Sequence, residues 1–256
     1  MRFLLLLLVP LSIMWASLIK APLFDVDAHQ GFIKITTLQE GVSGFVVRHF
    51  NDEHSAIIAK AVVVHVDPQN RQATIAFSTY DGLKQNALPK GKWQPKEGDE
   101  VQLAFAYNRA LLIAPNRELY HQVMSRGKSI EWVSSDLFAA MLSERGHPTP
   151  LYDDIQDFCD ANTVGLLYVY AKQTLFTLDC HSFQVLQTTP LPQEVSKTQL
   201  PFYSRIEAIR EAWWGEGSSP LKAYEPYYFR LIEQHNQTNT LFQQWRKSAS
   251  ASDKEF

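Results

Sequence analysis

Between residues 31 and 115 the apolar residues come in short runs, each closed by turn chemistry, and this spacing commits the first half of the chain to β structure. The runs are FVVRHF at 45–50, AIIAKAVVVHV at 56–66, ATIAFSTY at 73–80, EVQLAFAY at 100–107 and ALLIAP at 110–115. All are rich in β-branched and aromatic side chains, which fit a pleated, half-buried surface. Asn51-Asp52, Asp67-Pro68, Lys96-Glu97-Gly98-Asp99 and Tyr107-Asn108 stand between them. Ala73 to Phe77 alternate as a sheet with one buried face requires. Short, closely spaced strands predict a small barrel or curled sheet, with the polar stretch LPKGKWQPKEGDEV at 88–101 as a long loop.

From Asn116 the period changes. NRELYHQVMSRG predicts a helix with Asn116 as its N-cap and Gly127 as its stop, and SIEWVS at 129–134 predicts a strand. SDLFAAMLSERG predicts a helix capped by Ser135 or Asp136, and PLYDDIQDFCDAN a short acidic one. VGLLYVYA at 164–171, TLFTLDC at 174–180 and FQVLQTT at 183–189 predict a three-stranded antiparallel meander turning at Lys172-Gln173 and His181-Ser182. Beyond Pro190 a helix is expected from about Tyr203 to Trp214, stopped by Gly215 and Gly217. A longer helix follows over AYEPYYFRLIEQHNQTNTLFQQWRK, anchored by Tyr227, Leu231, Phe242 and Trp245. The fold class is therefore α+β. The expected organisation is a signal peptide at 1–21, a β-rich part at 22–115, an α+β part at 116–247 and a disordered tail at 248–256.

The chain starts Met1-Arg2 and continues FLLLLLVPLSIMWASLI at 3–19, with small residues at Ala16, Ser17 and Ala21. This is the pattern of a secretory signal peptide, with cleavage after Ala16, Ser17 or Ala21. An uncleaved anchor is the other reading, since the run nearly reaches the ~18 residues of a spanning helix; Pro10 and the small residues favour cleavage. The only two cysteines, Cys159 and Cys180, suit one disulfide in an oxidising compartment, with two free buried thiols as the alternative. Such a bridge contributes about 3 kcal/mol by chain entropy.

Composition and motifs point away from several chemistries. A formal charge of −3 without a basic run gives no footprint for nucleic acid. The eight histidines show no paired-ligand spacing, so neither a metal nor a cofactor is expected. The strand-to-helix junction ALLIAPNRELYHQV carries no nucleophile elbow and no glycine-rich phosphate loop, and reads as a joint. Ser134-Ser135-Asp136 reads as capping rather than as a nucleophile with its acid. His147 and His181 read as solvated turn residues. Asp153, Asp154, Asp157 and Asp160 read as a solvated acidic face, although Asp153 and Asp157 share a helix face and could hold a cation. Trp213, Trp214, Tyr224, Tyr227, Tyr228 and Phe229 are either packing for the C-terminal helices or the lining of a glycan or protein groove.

Five phrases in order, ALLIAPNRELYHQV, WVSSDLF, VGLLYVYAKQTLFTLDCHSFQVL, PFYSRIEAI and YEPYYFRLI, resemble the N-terminal domain of the plasminogen-binding surface proteins of epsilon-class proteobacteria. The likeness runs from about Gly44 to Ile232. It implies an exported, non-enzymatic envelope protein, periplasmic or at the outer surface, whose partner is plasminogen, captured through lysine-binding kringle domains. Members that bind plasminogen carry a lysine-rich tail ending in Lys. Here the tail reads SDKEF, with Lys254 between Asp253 and Glu255, so Lys254 and Lys247 are the candidate lysines. The alternative is a periplasmic structural or assembly protein that binds an envelope protein or glycan.

Overall fold

The computed structural model describes residues 18–35, 37–80, 93–195 and 197–252. The apolar leader at 1–17 and Lys254 lie outside the described residues. Two sheets organise the chain. The first has six antiparallel strands: β1 (Ile19–Pro22), β2 (Gln30–Lys34), β3 (Ser43–His49), β4 (Ser55–Asp67), β5 (Gln72–Thr79) and β6 (Glu100–Leu103), in the order β1-β6-β3-β4-β5-β2. Register shifts at Val46/Val47 and Val63/His65 bend the long central hairpin. Such bulges add twist and let a sheet roll up. Its two edges meet where Phe24 and Phe32 pair as an isolated bridge. Inside lie Ile33, Val46, Ile75, Val101 and Leu103, all buried. Gly44 permits the closure: a Cβ there would sit 1.9 Å from the Gln102 carbonyl oxygen.

The second sheet contains β7 (Arg109–Ile113), β8 (Glu131–Val133), β9 (Leu166–Ala171), β10 (Thr174–Asp179) and β11 (Val185–Pro190), in the order β11-β10-β9-β7-β8. The run at 110–115, the last expected strand of the first half, is thus central to the second sheet, parallel to both β8 and β9. The chain changes sheets at 104–108, where EVQLAFAY stops being a strand; Ala104 and Ala106 take positive φ, which breaks the ladder. The meander β9-β10-β11 forms as expected, and Lys172 and Gln173 both adopt φ near +50° at its first turn.

The helices α1 (Arg117–Arg126), α2 (Ser135–Arg145), α3 (Tyr152–Asn162), α4 (Tyr224–His235) and α5 (Thr240–Ser252) cover this sheet on both faces. Leu119, Tyr120 and Val123 of α1 pack on Ala110, Leu112, Tyr168 and Tyr170, while α2 to α5 pack on Leu111, Ile113, Leu167, Val169 and Phe176. That double cover is why β9 and β10 are buried at every residue. Asn116 caps α1, its Oδ1 accepting from Leu119 N at 2.9 Å. The cap of α2 is Ser134 rather than Ser135 or Asp136, because Asp136 turns to Arg205.

Two expected helices differ. Residues 203–214 form no helix; they run beside α2, where Arg205 N donates to Asp136, Arg210 N to Ser143 Oγ and Ala212 N to the Gly146 carbonyl. Those bonds engage part of the backbone, and Ile206 and Ile209 lie against the core. The expected long C-terminal helix is two helices. Asn236 interrupts it by accepting from Val185 N at 2.7 Å and donating to the Phe183 and Ile232 carbonyls, and Asn239 Oδ1 then caps the next turn at Phe242 N. α5 extends through Ser252, into the stretch read as a disordered tail. No helix among the described residues is long and apolar enough to cross a membrane.

Candidate functional site

The two sheets meet around Asp179, the last residue of β10. Its carboxylate is fully buried and, among the described residues, its partners are neutral donors. Oδ1 accepts from His181 N and Ser182 N at 2.9 and 2.7 Å, the geometry of an Asx turn. Oδ2 reaches the first sheet, accepting from Ser43 N at 2.9 Å and from the Tyr107 hydroxyl. Burial, reinforced by the Asp179 charge and hydrogen bond, pushes the Tyr107 hydroxyl well above its ordinary range, so it stays a donor. Ser182 Oγ donates to the Gly41 carbonyl, another bond across the junction. The next residue, Cys180, is joined to Cys159 of α3, with 6.0 Å between the Cα atoms. The bridge ties the acidic helix to the end of the strand that carries Asp179.

Beside this hub a groove of about 650 Å³ opens between the first sheet and α3. Phe45, Tyr80 and Phe105 form one wall, with Phe45 edge-on to both other rings at 5.7 and 5.4 Å. The opposite wall is α3. Asp160 accepts from Lys60 Nζ of β4 at 2.8 Å and lies 3.0 Å from His181 Nδ1, while Asp157 pairs with Arg145 at 3.0 Å. Burial alone would raise the Asp160 carboxyl, but hydrogen bonds from His181 and Lys60 and their charges outweigh it and hold it at about 2. Asp154, buried behind the groove, binds Arg145, His147 and the backbone N–H of Leu151.

The acidic segment is solvated except at Asp154, which is buried, and its exposed acids Asp157 and Asp160 are paired. Asp154 and Asp157 pair with Arg145 and Asp160 with Lys60, while the His147 and His181 rings lie within hydrogen-bond distance of Asp154 and Asp160. Sequence reading missed this because the partners lie on other elements. A local signal did exist for Asp179, an acid that ends a strand and opens the turn at His181-Ser182. The groove can bind, with an aromatic wall facing compensated charges. Next to His181, both cysteines are bonded to each other and Ser182 Oγ donates to the Gly41 carbonyl.

Lys247 sits elsewhere, on α5. α5 is fastened by Phe242 and Trp245. The indole of Trp245 packs on Phe176 and Phe242, and its Nε1 donates to Thr174 Oγ1 at 3.1 Å. Lys247, two residues on, points to the exposed side and has no ion-pair partner among the described residues, whereas Arg246 pairs with Glu233. The structure does not bring Lys247 to the groove.

Over residues 18–232 the chain matches the family described as plasminogen-binding protein pgbA N-terminal. The chain belongs to this family. It is similar to the plasminogen-binding protein PgbA of two Helicobacter pylori strains, J99 and 26695. Each is 32% identical over 227 residues, covering 87% of this chain and 49% of the relative. The chain thus spans about half the length of the curated relatives it matches. No solved structure matches it. The family match takes in both sheets and most of α4 and stops at Ile232, short of α5.

Proposed function

We propose that this protein is an exported, non-catalytic binding protein of the cell envelope that captures plasminogen through lysine. Family membership carries the reading: the match runs through nearly all of the described fold, and the relatives are named for plasminogen binding. The two joined sheets act as the platform, and α5 is the element that presents lysine. Lys247 projects from its exposed side, and Lys254 follows beyond its last turn. A kringle site recognises an ammonium group with a carboxylate a side chain's length away, held by charge-assisted hydrogen bonds and by aromatic faces. Lys254, flanked by Asp253 and Glu255, offers that pair internally and therefore weakly.

Surface plasmon resonance on immobilised plasminogen tests this. The chain should bind weakly, and 6-aminohexanoate should abolish the signal. Lys254→Ala should weaken binding, Lys247→Ala should weaken it less, and removal of Glu255 and Phe256 should strengthen it by leaving Lys254 with a free carboxylate. Equal binding by all four proteins, insensitive to the lysine analogue, would place any contact on the folded body and discard the lysine mechanism.

A further inference from the structure

Trp213 and Trp214 are 99% and 83% exposed, and neither indole has a hydrogen bond or ring contact among the described residues. The other described tryptophans are engaged: Trp93 lies against Phe50 and Arg48, Trp132 donates to the Gly127 carbonyl, and Trp245 donates to Thr174. Leaving two large apolar side chains in water forgoes the stabilisation that burial would contribute. The exposure is built into the backbone. On one side Ala212 N donates to the Gly146 carbonyl at 2.9 Å, and a Cβ on Gly146 would lie 2.6 Å from the Ala212 Cβ. On the other side Thr149 N donates to the Gly217 carbonyl at 3.1 Å, and Thr149 Oγ1 to the Ser219 carbonyl at 2.7 Å. Gly215 and Gly217 take φ of +107° and +83°, and Ser218 Oγ closes the turn on the Gly215 carbonyl. Between these staples only Trp213, Trp214, Gly215 and Glu216 protrude, and both indoles stand in solvent.

We propose that this tip is a membrane-interface anchor that inserts both indoles into the headgroup region of a zwitterionic bilayer. The size of the patch favours lipid over protein. Two indoles supply roughly 400 Å², about half of the ~800 Å² each partner contributes to a stable protein interface. A fluid headgroup layer needs no fitted surface and offers acceptors to both indole N–H groups. Charge selects the lipid class. Between residues 207 and 216 the segment carries Glu207, Glu211 and Glu216 against Arg210, and Arg145 in the last turn of α2 is already paired with Asp154 and Asp157. An anionic headgroup therefore gains no attraction there over a zwitterionic one such as phosphocholine.

The test mixes the full chain, and its Trp213→Ala/Trp214→Ala variant, with phosphatidylcholine vesicles that have plain or brominated acyl chains. Whatever the apolar N-terminal residues contribute to partitioning, the spectrum of the wild type minus that of the variant isolates the two indoles. That difference should shift to the blue on vesicle addition and be quenched by brominated lipid, undiminished in high salt because the contact is apolar. Trp213→Phe/Trp214→Phe, which keeps most of the apolar area, serves as a second comparison if the alanine variant folds poorly. A difference spectrum unaffected by vesicles overturns the proposal, and so does one that responds only to anionic vesicles. A response to plasminogen but not to vesicles also overturns it and makes the tip a protein contact.

Discussion

Asp160 links three elements through one carboxylate: its own α3, Lys60 of the first sheet and the His181 turn of the second. Its pKa, lowered from an ordinary 3.8 to about 2, makes it a source of stability that exists only while it is charged. The folded-state value is the depressed one, so this contribution is present above pH 4 and is lost as pH falls towards 2. Asp160→Asn should cost about 1 kcal/mol near neutrality, the scale of a partly exposed ion pair. In denaturant titrations the gap between wild type and variant should close between about pH 4 and pH 2. A gap that stays constant across that window would assign the cost to packing rather than to charge. Asp179, by contrast, is held by backbone N–H groups and the Tyr107 hydroxyl. Its removal would strand buried donors from both sheets at once.

The helix α3 is held to the second sheet in two ways, by Ile155 and Phe158 in the core and by the Cys159–Cys180 bridge. Because β10 carries Asp179 next to Cys180, the bridge also steadies the strand end that receives Ser43 from the first sheet. Cys180→Ser should lower unfolding stability by about 2–5 kcal/mol, measured by chemical denaturation under oxidising conditions. A loss that persists equally when both proteins are reduced would mean that side-chain packing, not the cross-link, was responsible. α5 is attached differently, through Phe242 and Trp245 against Phe176 and β11. These side chains hold the start of the helix and leave Lys247 free beyond them.

For the molecule as a whole, the first strand bears on how the N-terminus is processed. Ile19, Lys20, Ala21 and Pro22 pair with Leu103, Gln102, Val101 and Glu100, Ala21 is buried, and Lys20 lies 3.3 Å from Glu100. Cleavage after Ala16 or Ser17 leaves this strand whole, whereas cleavage after Ala21 removes most of it and bares the edge of β6. If the leader is removed on export, mass spectrometry of the native protein should find Ser17 or Leu18 at the new N-terminus. Recovery of a stable protein starting at Pro22 would show the strand to be dispensable. A chain shortened to Pro22 should also melt below one that starts at Leu18.

Local rules of backbone and side chain were legible without the fold. The Asn116 cap, the Gly127 stop, the meander with its Lys172-Gln173 turn and the pairing of the only two cysteines all depend on neighbours in the chain or on there being a single possible partner. The resemblance to the plasminogen-binding family was equally legible, because it rests on ordered phrases. Partners far away in the chain decided the rest. Ala110–Ile113 looks like one more strand of the first half, yet its neighbours are β8 and β9, and only the assembled sheet shows which. Residues 203–214 have a helical pattern, but α2 offers their backbone hydrogen-bond partners 67 to 69 residues away and wins. Asn236 breaks a helix because Val185, 51 residues earlier, needs its carbonyl oxygen. Trp213 and Trp214 read as core or groove residues until the staples on either side hold them in solvent. Propensity acts within a few residues, whereas a buried polar group must be satisfied by whatever the fold brings next to it, and that requirement set the architecture where the two conflicted.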